Sequence, residues 1–400
     1  MPRIKTIETR GFQWYTYGTK REIILLSEVI ALQLTLHLTN NCNLNCSYCF
    51  VERGPEIMTR DIAFAAVKLA MENVSATGLL FYGGEPLLER NLIYDIVDYT
   101  KSIRKETGHT FYYKTTTNGT LLDDEFLRFS SEVNLTIGFS HDGPAQDDCR
   151  LTPEGEGTAA LLEEKIPLLL KYQPYAVGMS VMNPSTIHKT AGAVKFMFEK
   201  GFRYICLNLN YSRTAPWTRK SFTVLEGEYK KLAELYIEWT KSEEKFYLSP
   251  FDMKILSHLK GEKYNEDRCR LAINQPSVAP DGKFYFSSKY LGNPAFEVGD
   301  VFSGINSERQ KALSEKISIP PEPCRKCAIR TRCNYTCDSL ISKDAEIVAC
   351  VSPANCAHER MVTPIADQVA EKLYKERSAL FIHKHYNSLY PVMSLVEDMG

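Results

Sequence analysis

From residue 31 onward, short runs rich in β-branched and aromatic residues alternate with amphipathic stretches of helical period. This rhythm limits the possible folds more than any other feature of the chain, because alternating strands and helices build a parallel sheet with helical crossovers. Strands are expected at 32–39, 78–83, 111–117, 133–140, 176–182 and 202–209, with helices near 59–73, 90–105, 121–130, 158–172 and 187–200. That pattern reads as an α/β fold, an open, partial (β/α)6 TIM-type barrel, in which chemistry collects at the C-terminal ends of the strands.

At 400 residues the chain exceeds a usual single domain, so further units are expected around the barrel. Residues 1–30 read as an N-terminal extension, 31–222 as the barrel and 223–262 as a charged helical bridge. Residues 263–360 are irregular and turn-rich, with Asp281-Gly282 as a hairpin signal and Pro320, Pro321 and Pro323 ahead of a cysteine cluster. This stretch is expected to fold around metal rather than a large core. A helical tail over 361–400 follows, with Val362, Ile365, Val369 and Leu373 on one face. With 48 basic against 49 acidic residues, the net charge of −1 gives no field to draw nucleic acid or an anionic membrane. No secretion signal or membrane-spanning apolar run is evident, so the chain is expected to be cytoplasmic.

Twelve cysteines in such a chain are not a disulfide framework, and most of them are bunched. Cys42, Cys46 and Cys49 form C-x3-C-x2-C directly after the first strand. Thiolates on a short loop suit an iron–sulfur cluster, and three of them leave one iron open to bind and polarise a small molecule. Zinc is the competing reading, although structural zinc usually takes four ligands. Cys324, Cys327, Cys333 and Cys337 form C-x2-C-x5-C-x3-C among Arg325, Lys326, Arg330 and Arg332, a setting suited to an anionic cluster, with zinc again the alternative. Cys149 and Cys206 stand alone and read as buried thiols, and His383 and His385 as solvated surface.

The C-x3-C-x2-C loop after a first barrel strand, with Tyr48 before its last cysteine, resembles the radical S-adenosylmethionine (SAM) superfamily. The resemblance implies a [4Fe–4S] cluster whose open iron is chelated by the amine and carboxylate of SAM. Reductive cleavage of SAM there yields a 5′-deoxyadenosyl radical that abstracts hydrogen from substrate. FYGGEPLL, one βα unit later, is similar to the family's Gly-Gly-Glu motif. It implies that Gly83 and Gly84 allow close backbone approach to the cofactor and that Glu85 accepts from the methionine ammonium. TTNGTLL (116–122) matches a common family turn. In SHDGP the resemblance places Ser140 and Asp142 near the ribose, with Arg150 as partner of the methionine carboxylate; a capped turn with a surface arginine is the plain alternative.

The second cysteine set is similar to the SPASM extension of peptide-modifying members, which carries one or two auxiliary [4Fe–4S] clusters. Carried over, Cys324, Cys327 and Cys333 with Cys356 make the outer cluster. The inner one keeps Cys269 and Cys337 but meets Ser287 where a cysteine is expected, so it needs a substitute such as Cys350, another side chain, substrate or water. Relatives that oxidise a sulfatase cysteine or serine carry an acidic residue at the next position, where this chain has Ser288. The resemblance thus favours a maturase of ribosomally made peptides that forms a thioether, a carbon–carbon crosslink or a related oxidation. It implies a leader-bearing peptide substrate and a flavodoxin or ferredoxin as reductant, with a sulfatase-maturating or small-molecule radical SAM enzyme, or a non-catalytic zinc protein, as alternatives.

Overall fold

The computed structural model describes residues 31–72, 74–210, 212, 215–260, 275–333, 340–343, 346–350, 352–387 and 389–390. Its first strands are β1 (Ala31–Thr39), β2 (Asn45–Cys46), β3 (Ala76–Gly83), β4 (Thr110–Thr117), β5 (Leu135–Ser140), β6 (Arg150–Leu151), β7 (Val177–Met182), β8 (Tyr204–Leu209) and β9 (Tyr247–Ser249). The accompanying helices are α1 (Arg60–Ala70), α2 (Arg90–Thr107), α3 (Asp124–Glu132), α4 (Gln146–Cys149), α5 (Ala159–Tyr172), α6 (Thr190–Glu199), α7 (Arg219–Lys241) and α8 (Phe251–Lys260). Strands β1, β3, β4, β5, β7, β8 and β9 lie side by side in chain order, all parallel.

Each strand has a helix-facing side and an opposite side. On β1, Leu34, Leu36 and Leu38 are fully buried in the apolar core, together with Leu79 and Phe81 of β3 and Ala63, Ala66 and Val67 of α1. Each such Leu or Phe contributes about 2 kcal/mol by leaving water. The alternate positions face away from the helices, and there the His37 and Tyr82 rings meet edge to face at 5.2 Å. Side-chain caps set the helix starts: Thr59 Oγ1 accepts from Ile62 N, and Asp123 Oδ1 from Phe126 N.

Two expectations are corrected here. The bridge is not wholly helical, because Tyr247–Ser249 inserts as β9 beside β8. Phe246 and Leu248 bury that short run, which is too brief to show a period in sequence. The turn-rich region is also not organised by metal alone. Its strands β10 (Ser277–Val278), β11 (Lys283–Tyr285), β12 (Glu297–Asp300) and β13 (Gly304–Ile305) extend the same sheet beyond β1, with Ser277 opposite Thr35. Phe284, Phe286, Phe296 and Val298 give it an apolar core, and Gly282 makes the expected hairpin turn at φ +91°.

The helix Pro353–Lys375 buries Val362, Ile365, Val369 and Leu373 and packs on α7 and α8. Lys254 Nζ reaches Glu359 at 2.5 Å and the Arg332 carbonyl at 2.9 Å, while Arg332 grips Asp367 with both Nη groups. These bonds hold the second cysteine segment against the helices. His385 is buried beside Tyr236 and Asp252 rather than solvated. Among the described residues, no helix is long and apolar enough to cross a membrane.

Candidate active site

The loops after β1, β3, β4 and β5 converge at one end of the sheet. Cys42 and Cys46 are half-buried and Cys49 is exposed. A turn closed by Cys49 N donating to Cys46 O shapes the loop, and β2 pairs with β6 so that Cys46 lies opposite Arg150. Burial raises the Cys42 thiol and pushes Cys46 up to about 11, the latter against the opposing charge of Arg150. Without metal both are protonated thiols, so a metal that takes them as thiolates displaces protons.

Gly83 and Gly84 are required by backbone packing. A Cβ at Gly84 would sit 2.1 Å from Asn41 O, and one at Gly83, at φ +138°, would sit 2.3 Å from Thr39 O. Gly84 N and Glu85 N donate to Thr39 O and Asn41 O at 2.9 Å, so the Gly-Gly-Glu turn is stitched onto the base of the cysteine loop. The close approach expected toward a cofactor is made, in these contacts, to that loop. Glu85 is fully buried; it accepts from Leu87 N at 3.0 Å, Thr117 Oγ1 at 2.7 Å and Asn118 N at 2.7 Å. Burial pushes it up to about 7 despite these donors. With three bonds made, the carboxylate retains room for one more donor.

Asp142 is saturated. Its Oδ1 accepts from Ser180 Oγ at 3.0 Å and Val181 N at 2.9 Å, and its Oδ2 from Arg150 Nε at 2.9 Å and the Tyr48 hydroxyl. Four bonds fill a carboxylate, so Asp142 spends its oxygens on Ser180, Val181, Arg150 and Tyr48. Arg150 stacks over the Tyr48 ring at 5.3 Å and spends only Nε on Asp142, while its Nη groups have no hydrogen-bond acceptor among the described residues. Ser140 ends β5 on the same rim, buried.

In the second cysteine segment, Cys324 and Cys327 flank one tight turn, Cys333 follows the next, and Cys356 lies in the first turn of the helix Pro353–Lys375. Burial raises the Cys324 thiol, as do the charges of Cys356 and Cys327 beside it. Arg360 Nη2 donates to Cys327 Sγ at 3.8 Å and also bonds Cys356. Arg360 was missed in sequence; its signal is the i,i+4 spacing from Cys356 on a helix. Cys269 and Cys337 lie outside the described residues, and Cys350 follows the hairpin Leu340–Lys343 and Glu346–Ala349. Ser287 Oγ caps a short turn by accepting from Lys289 N, and Ser288 Oγ bonds Ser277 Oγ at 2.9 Å.

Both thiol sets fit an iron–sulfur group by their chemistry. At each, burial and the neighbouring sulfurs keep the thiols protonated, while the donors beside them, Leu44 N–H at Cys42 and Arg360 at Cys327, would stabilise thiolates once a metal displaced those protons. Among the described residues, no three Cys, His, Asp or Glu side chains stand at the spacing of a single metal ion.

A family model described as the radical SAM superfamily matches residues 36–197. A serine-type anaerobic sulfatase-maturating enzyme of Bacteroides thetaiotaomicron is 24% identical over 332 residues, 74% of this chain and 80% of the relative. Among solved structures, native anSMEcpe with bound AdoMet and Cp18Cys peptide is similar at TM-score 0.70 and 20% identity, covering 89% of this chain and 99% of that one. Streptococcus suis SuiB bound to precursor peptide SuiA is similar at TM-score 0.53 and 14% identity, covering 77% and 72%.

Proposed function

The chain belongs to the radical SAM superfamily of enzymes, and from that premise we propose that it modifies a side chain of a ribosomally made peptide. The observation that supports this most is that, besides the three-cysteine mouth, the chain carries a second thiol segment, Cys324, Cys327, Cys333 and Cys356, braced by Lys254, Arg332 and Arg360. When bound, the cluster and SAM supply reductive cleavage and hydrogen-atom abstraction.

The chain's own residues bind and orient. Cys42, Cys46 and Cys49 hold the mouth cluster. Arg150, fixed through Nε by Asp142, offers its Nη groups to the methionine carboxylate. Glu85 offers its remaining acceptor position to the ammonium, and Ser140 lies on the ribose side. Cys324, Cys327, Cys333 and Cys356 hold an outer auxiliary cluster. An inner cluster draws on Cys269 and Cys337, with Cys350, another side chain, water or substrate in place of Ser287, whose hydroxyl already caps a turn. The products that fit are a thioether, a carbon–carbon crosslink or a related oxidation, with a flavodoxin or ferredoxin as electron donor.

A second reading, oxidation of a sulfatase cysteine or serine, is favoured by the likeness to sulfatase-maturating enzymes. It is opposed by Ser288, whose hydroxyl bonds Ser277 where those relatives carry an acid. The test is anaerobic reconstitution with iron, sulfide and SAM, followed by mass spectrometry of a peptide encoded nearby and of a sulfatase-derived peptide. Two cubanes require roughly eight irons per chain and three roughly twelve. Zinc in place of iron, or undiminished 5′-deoxyadenosine formation by Cys42→Ala, would overturn the proposal.

A further inference from the structure

The turn after β4, Thr117-Asn118-Gly119-Thr120, touches both loops of the mouth. Its Thr117 hydroxyl and Asn118 amide secure Glu85, and the Asn118 side chain faces the cysteines. Asn118 Oδ1 accepts from Thr120 N at 3.0 Å and from Thr120 Oγ1 at 2.7 Å. A backbone N–H can only donate, so the carbonyl end of the Asn118 amide must face Thr120 and its NH2 must face the other way. There Nδ2 donates to Asn43 Oδ1 at 2.8 Å and to Cys42 Sγ at 3.9 Å. Leu44 N donates to the same sulfur at 3.5 Å. Asn43 Nδ2 donates back to Thr120 Oγ1 at 2.8 Å and closes a ring of hydrogen bonds in which every donor has a fixed direction.

We infer that Asn118 is a positioning residue that donates an N–H to the Cys42 sulfur and, together with Leu44 N–H, raises the reduction potential of the cluster held at the mouth. The inference rests on the iron–sulfur reading of Cys42, Cys46 and Cys49. An N–H aimed at a thiolate ligand stabilises negative charge, and the reduced cluster is the more negative state, so the donor favours reduction. Asn118 is only 7% exposed, so water does not readily take over when the donor is removed. The same amide ties the turn that secures Glu85 to the loop that carries Cys42, which couples the two halves of the mouth.

The test is a redox titration, monitored by electron paramagnetic resonance, of the anaerobically reconstituted full chain and of its Asn118→Leu and Asn118→Asp variants. The mouth signal is recognised by its change on adding SAM, and iron and sulfide are counted for each protein. Asn118→Leu removes the donor without adding charge. At a fixed donor potential its reduced-to-oxidised ratio should fall about tenfold, a midpoint about 59 mV lower for a one-electron couple, with iron content as in the parent protein. Asn118→Asp keeps both acceptor contacts to Thr120, loses the donor and should fall further; it decides the matter should the leucine variant fail to load iron. An unchanged midpoint in an iron-replete variant overturns the inference and leaves the family reading standing. A parent chain that holds no reducible iron cluster overturns both.

Discussion

Asp142→Asn tests the architecture of the mouth most sharply. The carboxylate and Arg150 form a buried pair at 2.9 Å with side-chain exposures of 2% and 8%. In the variant, Asn Oδ1 still accepts from Ser180 and Val181, but its NH2 confronts two donors, Arg150 Nε and the Tyr48 hydroxyl. Removing one partner of a buried ion pair costs about 3–5 kcal/mol because the other charge is stranded. The metal-free variant should therefore lose about 4 kcal/mol in urea unfolding. Since Cys46 pairs with Arg150 across β2 and β6, its cysteine loop should also load less iron. Arg150→Met removes the stranded charge, so the double variant should be more stable than Asp142→Asn alone, with a coupling of about 3 kcal/mol in the cycle. A loss below about 1 kcal/mol for Asp142→Asn, or simple additivity in the double variant, would refute the argument.

Other expectations follow from the same geometry. Gly84→Ala drives a Cβ into Asn41 O at 2.1 Å; overpacking of this kind costs about 1–3 kcal/mol, and iron per chain should drop in proportion to the loop's displacement. Lys254→Met takes the cation away from the buried Glu359 carboxylate, so unfolding should come about 3–5 kcal/mol earlier, whereas adding Glu359→Leu should restore most of the loss. Burial lowers His37 to about 3, His141 to about 4 and His385 to about 3. Each binds its proton more readily unfolded than folded, so their stabilisation is complete above pH ~6.5 and is lost as pH falls toward their folded values. At about 1.4 kcal/mol per group per pH unit, these three together with His358, lowered to about 4, reduce stability between pH 6 and 5, while Glu85, raised to about 7, offsets one group's share, so a net loss of about 4 kcal/mol is expected from urea midpoints of the metal-free protein; a flat profile would contradict the burial of the histidines as neutral rings.

The strands that carry the mouth were legible because a half-buried strand or amphipathic helix writes its period locally. Expected and observed ranges agree within about two residues for β1, β3, β4, β5, β7 and β8. The cysteine spacing and the Gly-Gly-Glu turn could be read the same way, since each is a short loop whose residue types follow from its own chemistry. Short segments misled: β9 is three residues long, and the ribbon β10–β13 is recruited to the edge of β1 rather than standing apart. His385 looked solvated because nothing local announces Asp252 and Tyr236 beneath it.

By itself, then, the sequence determined the βα rhythm, the location of the thiols and the family to which the motifs point. Only the tertiary structure decided that Asp142 spends its carboxylate on Arg150 and Tyr48, that Asn118 turns its amide toward Cys42, and that Lys254 meets Glu359 across 105 residues. Local periodicity reports which face of an element is buried, whereas a hydrogen-bond partner is chosen by how distant elements pack. A buried polar group takes whichever complementary group that packing brings within reach.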